Sequence, residues 1–217
     1  MKLSPKTITI LKNFATINPS MIFKSGHWIA TLSPTRTIFA RSHITETFPK
    51  TFAIYDLNKF LACLSLMNEP ELTFGDTSVK ISDGNKTIVY HYAEISLIKE
   101  PPDKAMDMPS KDAQCVITTK DLQGVLKGVG VLGLNAIAIC GDNKNITLEA
   151  VDTSQASNDT YSVVVGETDT KFSAVFSAEK MRMVDSDYTV TLSKNYVSEF
   201  VGTDVTYWIA METSSVF

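Results

Sequence analysis

The sequence predicts an α+β protein built from two tandem copies of one unit, each with two helices laid on β-strands. Three observations carry that reading. Amphipathic helical stripes alternate with short strand-like runs bounded by turn residues. Residues 98–114, IKEPPDKAMDMPSKDAQ, hold three prolines and seven charges with little periodicity, the composition of a connector. The stretches on either side can be laid over each other. LKNFATINPSMIFKSG matches LKGVGVLGLNAIAICG at a constant offset of 115, pairing Leu11 with Leu126, Lys12 with Lys127, Ile22 with Ile137 and Gly26 with Gly141. FAIYDLNKF lies over SAVFSAEKM at an offset of 121. The expected division is a first domain at 1–97, a connector at 98–114 and a second domain at 115–217.

Each element has a local reason. Ser4 followed by Pro5 supplies an N-cap oxygen and a first-turn proline for helix 1, whose apolar stripe centres on Ile8, Leu11 and Ala15, flanked by Thr7, Ile10 and Phe14. MIFKSGHWIATL and RTIFARSHI read as strands around Ser-Gly and Ser-Pro turns, and TFAIY as another. Asp56 caps helix 2, DLNKFLACLSLMN, with Leu57, Phe60, Leu61 and Leu64 inward. ELTFG, SVKIS and KTIVYHY follow as strands, with a turn at Asp83-Gly84. In the second half Thr119 caps KDLQGVLKGVGV, with Leu122, Val125, Leu126 and Val129 inward. NAIAICG and NITLEAV form a hairpin, and TYSVVVG and KFSAVF are further strands. Ser177 caps a short helix, AEKMRMV, and YTVTL, YVSEF and VTYWIAMET end the chain as strands.

Charge is unevenly placed. The net charge is -4, yet the first carboxylate in the chain is Glu46, after Lys2, Lys6, Lys12, Lys24, Arg36 and Arg41. Either the asymmetry is chance on a solvated surface or a basic face is segregated from the acids. Such a face attracts polyanions despite the net charge, because screening limits each charge to roughly 8–10 Å at physiological salt. The polar side of helix 1 shows Lys6, Thr9, Lys12 and Asn13, and the outer side of helix 3 shows Lys120 and Lys127 with Asp121 at its edge.

A reactive constellation is missing from the sequence. His27, His43 and His91 have no ligand spacing, no CxxC or HExxH occurs, and no nucleotide-binding glycine motif follows a strand. The expectation is no catalysis, no metal and no cofactor. Cys63, Cys115 and Cys140 are odd in number and far apart, which suits buried thiols in a reducing cytoplasm. No apolar stretch reads as a secretion signal or a bilayer span, so no membrane partner is expected.

Met1 to Ser4, Leu11 to Asn18, Lys24-Ser25-Gly26, Ala53 to Asn58, Phe60-Leu61, Leu64 to Leu66 and Asn68 resemble the sliding clamps of T-even-type bacteriophages. Asp121-Leu122-Gln123, Leu126, Ile137-Ala138-Ile139 and Phe217 continue the resemblance. It implies a DNA polymerase processivity factor, non-enzymatic, working in the cytoplasm of the infected bacterial host. Three chains of two clamp domains each would close into a ring around duplex DNA, helices lining the hole and sheets forming the rim. The implied partners are a second and third copy of the chain, the phage DNA polymerase, an ATP-dependent clamp loader and late-transcription factors.

That architecture gives the lysines a use. Lys6, Lys12, Lys120 and Lys127 would meet phosphate without reading bases, joined by Lys2, Lys59, Lys180 and Arg182. KTIVYHY and TYSVVVG would be the ring-closing edges, with Ile88, Tyr90 and Tyr92 against Tyr161, Val163 and Val165 of a neighbour, unless both are ordinary intramolecular strands. Partner tails would bind beside the connector, whose apolar members include Ile98, Ala105, Met106, Met108 and Ala113. Met106 and Met108 either adapt to such tails or pin the connector down. The rival readings are a duplicated β-rich structural protein of the phage, and a single-strand-binding protein, which would interleave exposed aromatics with its bases.

Overall fold

Ser4 and Pro5 start the first helix as their chemistry requires. The backbone N–H of Thr7 donates to Ser4 Oγ at 3.2 Å, and Pro5 occupies the first helical position, where a missing N–H costs nothing. The carboxylate of Glu46, brought in from a strand, closes the same end: Ser4 N–H donates to it, and Thr7 Oγ1 donates to it at 2.7 Å. The first acid of the chain thus sits on the positive end of the first helix dipole.

The computed structural model describes residues 1–154 and 159–217 and divides into two units, Met1–Ala105 and Met106–Phe217. Unit one runs α1 (Pro5–Ile17), β1 (Met21–Phe23), β2 (Gly26–Leu32), β3 (Ile38–Phe48), β4 (Phe52–Ile54), α2 (Leu57–Ser65), β5 (Glu71–Phe74), β6 (Ser78–Asp83) and β7 (Lys86–His91). Antiparallel pairs join β1 to β4 and β2 to β3, and β5, β6 and β7 form a meander. Gly84, at φ 55°, supplies the left-handed residue in the turn between β6 and β7.

Unit two begins with an extra strand, β8 (Ala113–Ile117). The same order follows: α3 (Thr119–Leu132), β9 (Ala136–Asp142), β10 (Asn145–Val151), β11 (Tyr161–Glu167), β12 (Lys171–Ser177), one 3-10 turn at Ala178–Met181, β13 (Tyr188–Ser193), β14 (Val197–Val201) and β15 (Val205–Ala210). Its sheets run β11-β10-β9-β12 and β15-β14-β13-β8, all neighbours antiparallel. Helix, four strands, helical segment and three strands recur in both units, so the chain is α+β and duplicated.

Three local expectations shift. The buried side of α1 is Thr7, Ile10, Leu11, Phe14 and Ala15, with Ile8 only half-buried; the aromatic and branched flank goes inward. Each fully buried apolar side chain there contributes roughly 1.5–3 kcal/mol. The cap of α3 is Thr118, whose hydroxyl accepts from Asp121 N–H at 3.2 Å, while Thr119 donates its N–H to Asp187 at 2.7 Å. The expected fourth helix shrinks to the single 3-10 turn. Its buried residues, Ala178 and Met181, are spaced three apart, which one such turn satisfies, and Ser177 makes no side-chain cap.

Burial pushes the Glu46 carboxyl up, but the Ser4 N–H and the Thr7 hydroxyl outweigh it and hold the group below the ordinary glutamate value. A carboxylate depressed in the fold contributes stability above its unfolded value, and that contribution is lost as pH falls through the lower folded value. Glu46→Gln should therefore cost about 1–2 kcal/mol near neutral pH. The difference from wild type should shrink in denaturant melts as pH falls through the lowered folded value of Glu46.

Candidate functional site

The expected basic residues do not all stand alike. Lys6 and Lys12 on α1, Lys59 on α2, and Lys120 and Lys127 on α3 are exposed. Lys12 and Lys127 occupy matching positions of the two units; Lys6 falls opposite Asp121, whose carboxylate is turned to the cap hydroxyl of Thr118 at 2.6 Å. Lys2 is paired with Glu69 at 2.7 Å, and the hydrogen bond to that carboxylate raises its pKa. Lys180 is largely spent: its ammonium meets Glu212 at 2.7 Å and the Ala210 carbonyl at 3.4 Å, and only 18% of its side chain is exposed. Arg182 lies exposed just after the 3-10 turn.

Among the strands that end their sheets are β7 and β11. Among the described residues β7 pairs only with β6, and β11 pairs with β10 at the margin of the four-stranded sheet of unit two. Val89 and Val164 on these strands are 55% and 60% exposed, and Leu66 and Val131, at the ends of α2 and α3, are 66% and 75% exposed. Ile88, Val163 and Val165 are half-buried. The tyrosines turn back onto their own units. Tyr90 donates its hydroxyl to the Asp56 carbonyl at 3.0 Å and meets Phe60 edge-on at 5.4 Å. Tyr92 lies one residue past β7 with its ring 5.0 Å from Phe52.

Tyr161 explains the glycines of α3. A Cβ on Gly128 would stand 3.0 Å from Tyr161 Cβ, and one on Gly124 would stand 3.3 Å from its hydroxyl. The ring of an edge-strand residue rests on a helix surface stripped of side chains. The helix accepts two residues that each cost roughly 1 kcal/mol relative to alanine.

The connector residues separate. Ile98 is buried at 7% exposure against Ile22 and Ala53 and is used in the core of unit one. Met106 is 38% exposed and Met108 half-buried. Neither lines the cleft of about 640 Å³ that opens in unit two between Asp112, Thr170, Lys171, Phe172, Lys194, Tyr196 and Phe217. Phe172 and Phe217 stack there with centroids 5.7 Å apart, and Asp112 is held by Ser110, the Lys194 N–H at 2.9 Å and the Lys194 ammonium at 3.7 Å. Sequence reasoning missed this cleft because its walls come from four separated segments. The one hint was Phe217, an aromatic far from any core stripe.

Burial alone pushes the Cys115 thiol up to about 12. Among the described residues no group of three or more His, Cys, Asp or Glu could hold a metal ion.

Comparison with known proteins follows the same two-part division. Residues 2–98 match the DNA polymerase processivity factor family, and residues 114–213 match the gp45 sliding clamp C-terminal family. The chain is 36% identical to the sliding clamp of Vibrio phage KVP40 over 98% of its length and 99% of the relative's. It is 33% identical to the sliding clamp of Enterobacteria phage T4 over 99% and 98%. Among solved structures, PCNA from Thermococcus kodakaraensis superposes with a TM-score of 0.72 at 11% identity, covering 95% of this chain and 96% of that one. A. fulgidus PCNA, solved with the C-terminal region of FEN-1 bound, gives 0.73 at 14% identity, covering 96% of each. At such identities the likeness is one of fold.

The seat of Tyr161 on α3 can be tested without any partner. Gly128→Ala should destabilise the protein by about 1 kcal/mol, since the added methyl stands 3.0 Å from Tyr161 Cβ, an atom fixed to the β11 backbone that must then give way. Gly130→Ala, where a Cβ meets nothing within 4 Å, should instead stabilise it by roughly 0.5–1 kcal/mol. Denaturant melts of the two variants would read the opposite signs.

Proposed function

The chain belongs to the sliding clamp family of DNA polymerase processivity factors, and from that membership we propose that three copies close head to tail into a ring around duplex DNA. The observation that carries the proposal is the pair of open edges, β7 in unit one and β11 in unit two. A row of unpaired backbone donors and acceptors flanked by exposed valines is a liability in a monomer and a ready seam between copies. Since Tyr90 and Tyr161 fold back on their own helices, the seam is made by the backbones of residues 86–91 and 161–167, with Val89 and Val164 beside them. Ile88, Tyr92, Val163 and Val165 support the two edges from within their own units.

In that ring α1 and α3 would turn their exposed faces to the DNA. Lys6, Lys12, Lys120 and Lys127, with Lys59 and Arg182, act as diffuse phosphate contacts. Lys2 and Lys180 contribute less, because carboxylates already hold them. No base is read, so the ring slides. The protein itself catalyses nothing and tethers the phage DNA polymerase. An ATP-dependent loader opens the ring, and late-transcription factors use the same clamp. Among the described residues no helix is long and apolar enough to cross a membrane. The proposed place of action is the cytoplasm of the infected host.

The aromatic cleft of unit two is the proposed seat for partner tails, with Met106 and Met108 of the connector as further candidate contacts. Its stacked Phe172 and Phe217 offer an apolar floor, and Lys171 and Lys194 a charged rim. A. fulgidus PCNA, of the same fold, holds the C-terminal region of another protein.

Sedimentation should give the mass of a trimer at micromolar concentration; a monomer with no concentration dependence would refute the ring. Lys12→Glu with Lys127→Glu should shorten processive synthesis most at low salt, the gap closing as salt screens the remaining lysines, with an unchanged melt. Phe217→Asp, at a ring 39% exposed, should abolish binding of a labelled polymerase tail peptide while leaving the trimer intact, and Met106→Asp with Met108→Asp should weaken it less.

A further inference from the structure

Tyr196 stands in a backbone conformation that its own side chain disfavours. Among the described residues three non-glycine residues have positive φ: Arg36 at 59°, Asn143 at 71° and Tyr196 at 62°. Asparagine enters this left-handed region readily, whereas a tyrosine does so against the repulsion between its Cβ and the following carbonyl oxygen. Of the three, only Tyr196 lines the aromatic cleft of unit two. The turn that carries it joins β13 to β14 and is fixed residue by residue. Lys194 N–H donates to the Asp112 carboxylate at 2.9 Å, Asn195 N–H to Ser193 Oγ at 3.1 Å and Tyr196 N–H to the Ser193 carbonyl at 3.1 Å. The Tyr196 carbonyl accepts from Met211 N–H at 3.0 Å. These bonds impose the left-handed geometry on whatever side chain stands there.

The tyrosine side chain returns little to the fold. It is 47% exposed, and among the described residues its hydroxyl makes no hydrogen bond and its ring meets no other ring. The other two rings of the cleft are already matched. Phe172 is 5% exposed and lies against Gly141, where an added Cβ would stand 2.4 Å from the ring, and Phe217 stacks on its other side. A large apolar surface is thus held at the cleft in a conformation that glycine or asparagine would adopt with less strain, and nothing inside unit two uses it. Strain that the fold does not need points to a use outside the chain.

Resting on the reading that partner tails seat in this cleft, we propose that Tyr196 is a specificity-determining residue of the seat: its strained backbone holds the ring as a wall against which an apolar side chain of the tail packs. The ring makes the contact and the hydroxyl does not, so phenylalanine can stand in for tyrosine. Stability and binding are then opposed at this one position. Asparagine relieves the backbone and removes the wall; alanine removes the wall and keeps the strain.

The test pairs thermal melts with binding in the full-length protein. The probe is a fluorescently labelled synthetic peptide of the phage polymerase's C-terminal residues, followed by anisotropy. Tyr196→Asn should melt no lower than wild type and bind the peptide roughly tenfold more weakly, the loss expected when one packed apolar side chain goes. Tyr196→Ala should bind as weakly and melt below Tyr196→Asn, and Tyr196→Phe should match wild type in both. Wild-type affinity in Tyr196→Asn overturns the proposal. So does a melt of Tyr196→Asn as low as that of Tyr196→Ala and below wild type, which would make the ring part of the fold, and so does equal loss of binding in Tyr196→Phe, which would give the contact to the hydroxyl. Phe217→Asp separates this proposal from the reading it rests on. If Phe217→Asp loses the peptide and Tyr196→Asn keeps it, the seat stands and the role of Tyr196 falls. If both keep it, or wild type itself does not bind, both fall.

Discussion

A helix that buries one stripe on a sheet must show the opposite stripe to whatever lies outside, and this constraint organises both units. α1 sinks Thr7, Ile10, Leu11, Phe14 and Ala15 into unit one and so has no choice about where Lys6 and Lys12 go. α3 sinks Leu122, Val125 and Gly128 into unit two and turns Lys120 and Lys127 out. The hydrophobic term does the orienting; the lysines follow. Electrostatics enters at the helix ends, where Glu46 and Asp121 each sit within the first turn, at the positive end of the dipole.

The same economy governs the strand edges. A sheet that stops must either hide its last row of backbone groups or offer it. β7 and β11 stop with exposed valines, while the aromatic residues on them are anchored inward, Tyr90 at the N-terminus of α2 and Tyr161 on the bare flank of α3. Each anchored ring ties its strand to its own unit, and a strand so tied would add less ordering entropy to the closure of the proposed seam.

The acid-free opening of the chain receives two answers. Part of it supplies the outer face of α1. Lys24, between β1 and β2, and Arg41, on β3, do something else. One of them is neutralised by the carboxylates at the start of the connector and the other is stacked on Trp28. Charge counts treat these cations as one population; the fold separates Lys6 and Lys12 on the helix from Lys2 and Lys24, paired with carboxylates, and from Arg41, stacked on Trp28.

The duplicated α+β plan, the capping residues Ser4 and Asp56, the strand order and the inward face of α2 were legible in the residues themselves. Each rests on a local cause: a period of 3.6 or 2, a cap oxygen, a turn residue. The resemblance of residues 1–68 carried the family. Local cause failed where tertiary contact decides. Ile98 reads as a free apolar residue of a connector until Ile22 and Ala53 enclose it. Lys180 reads as a solvated cation until Glu212, 32 residues on, reaches it. Gly124 and Gly128 read as flaws in a helix until Tyr161 covers them. The aromatic cleft is made by Asp112, Phe172, Tyr196 and Phe217, which no window of sequence contains together. Periodicity reports which side of an element is buried; only the closed chain decides which distant residue does the burying.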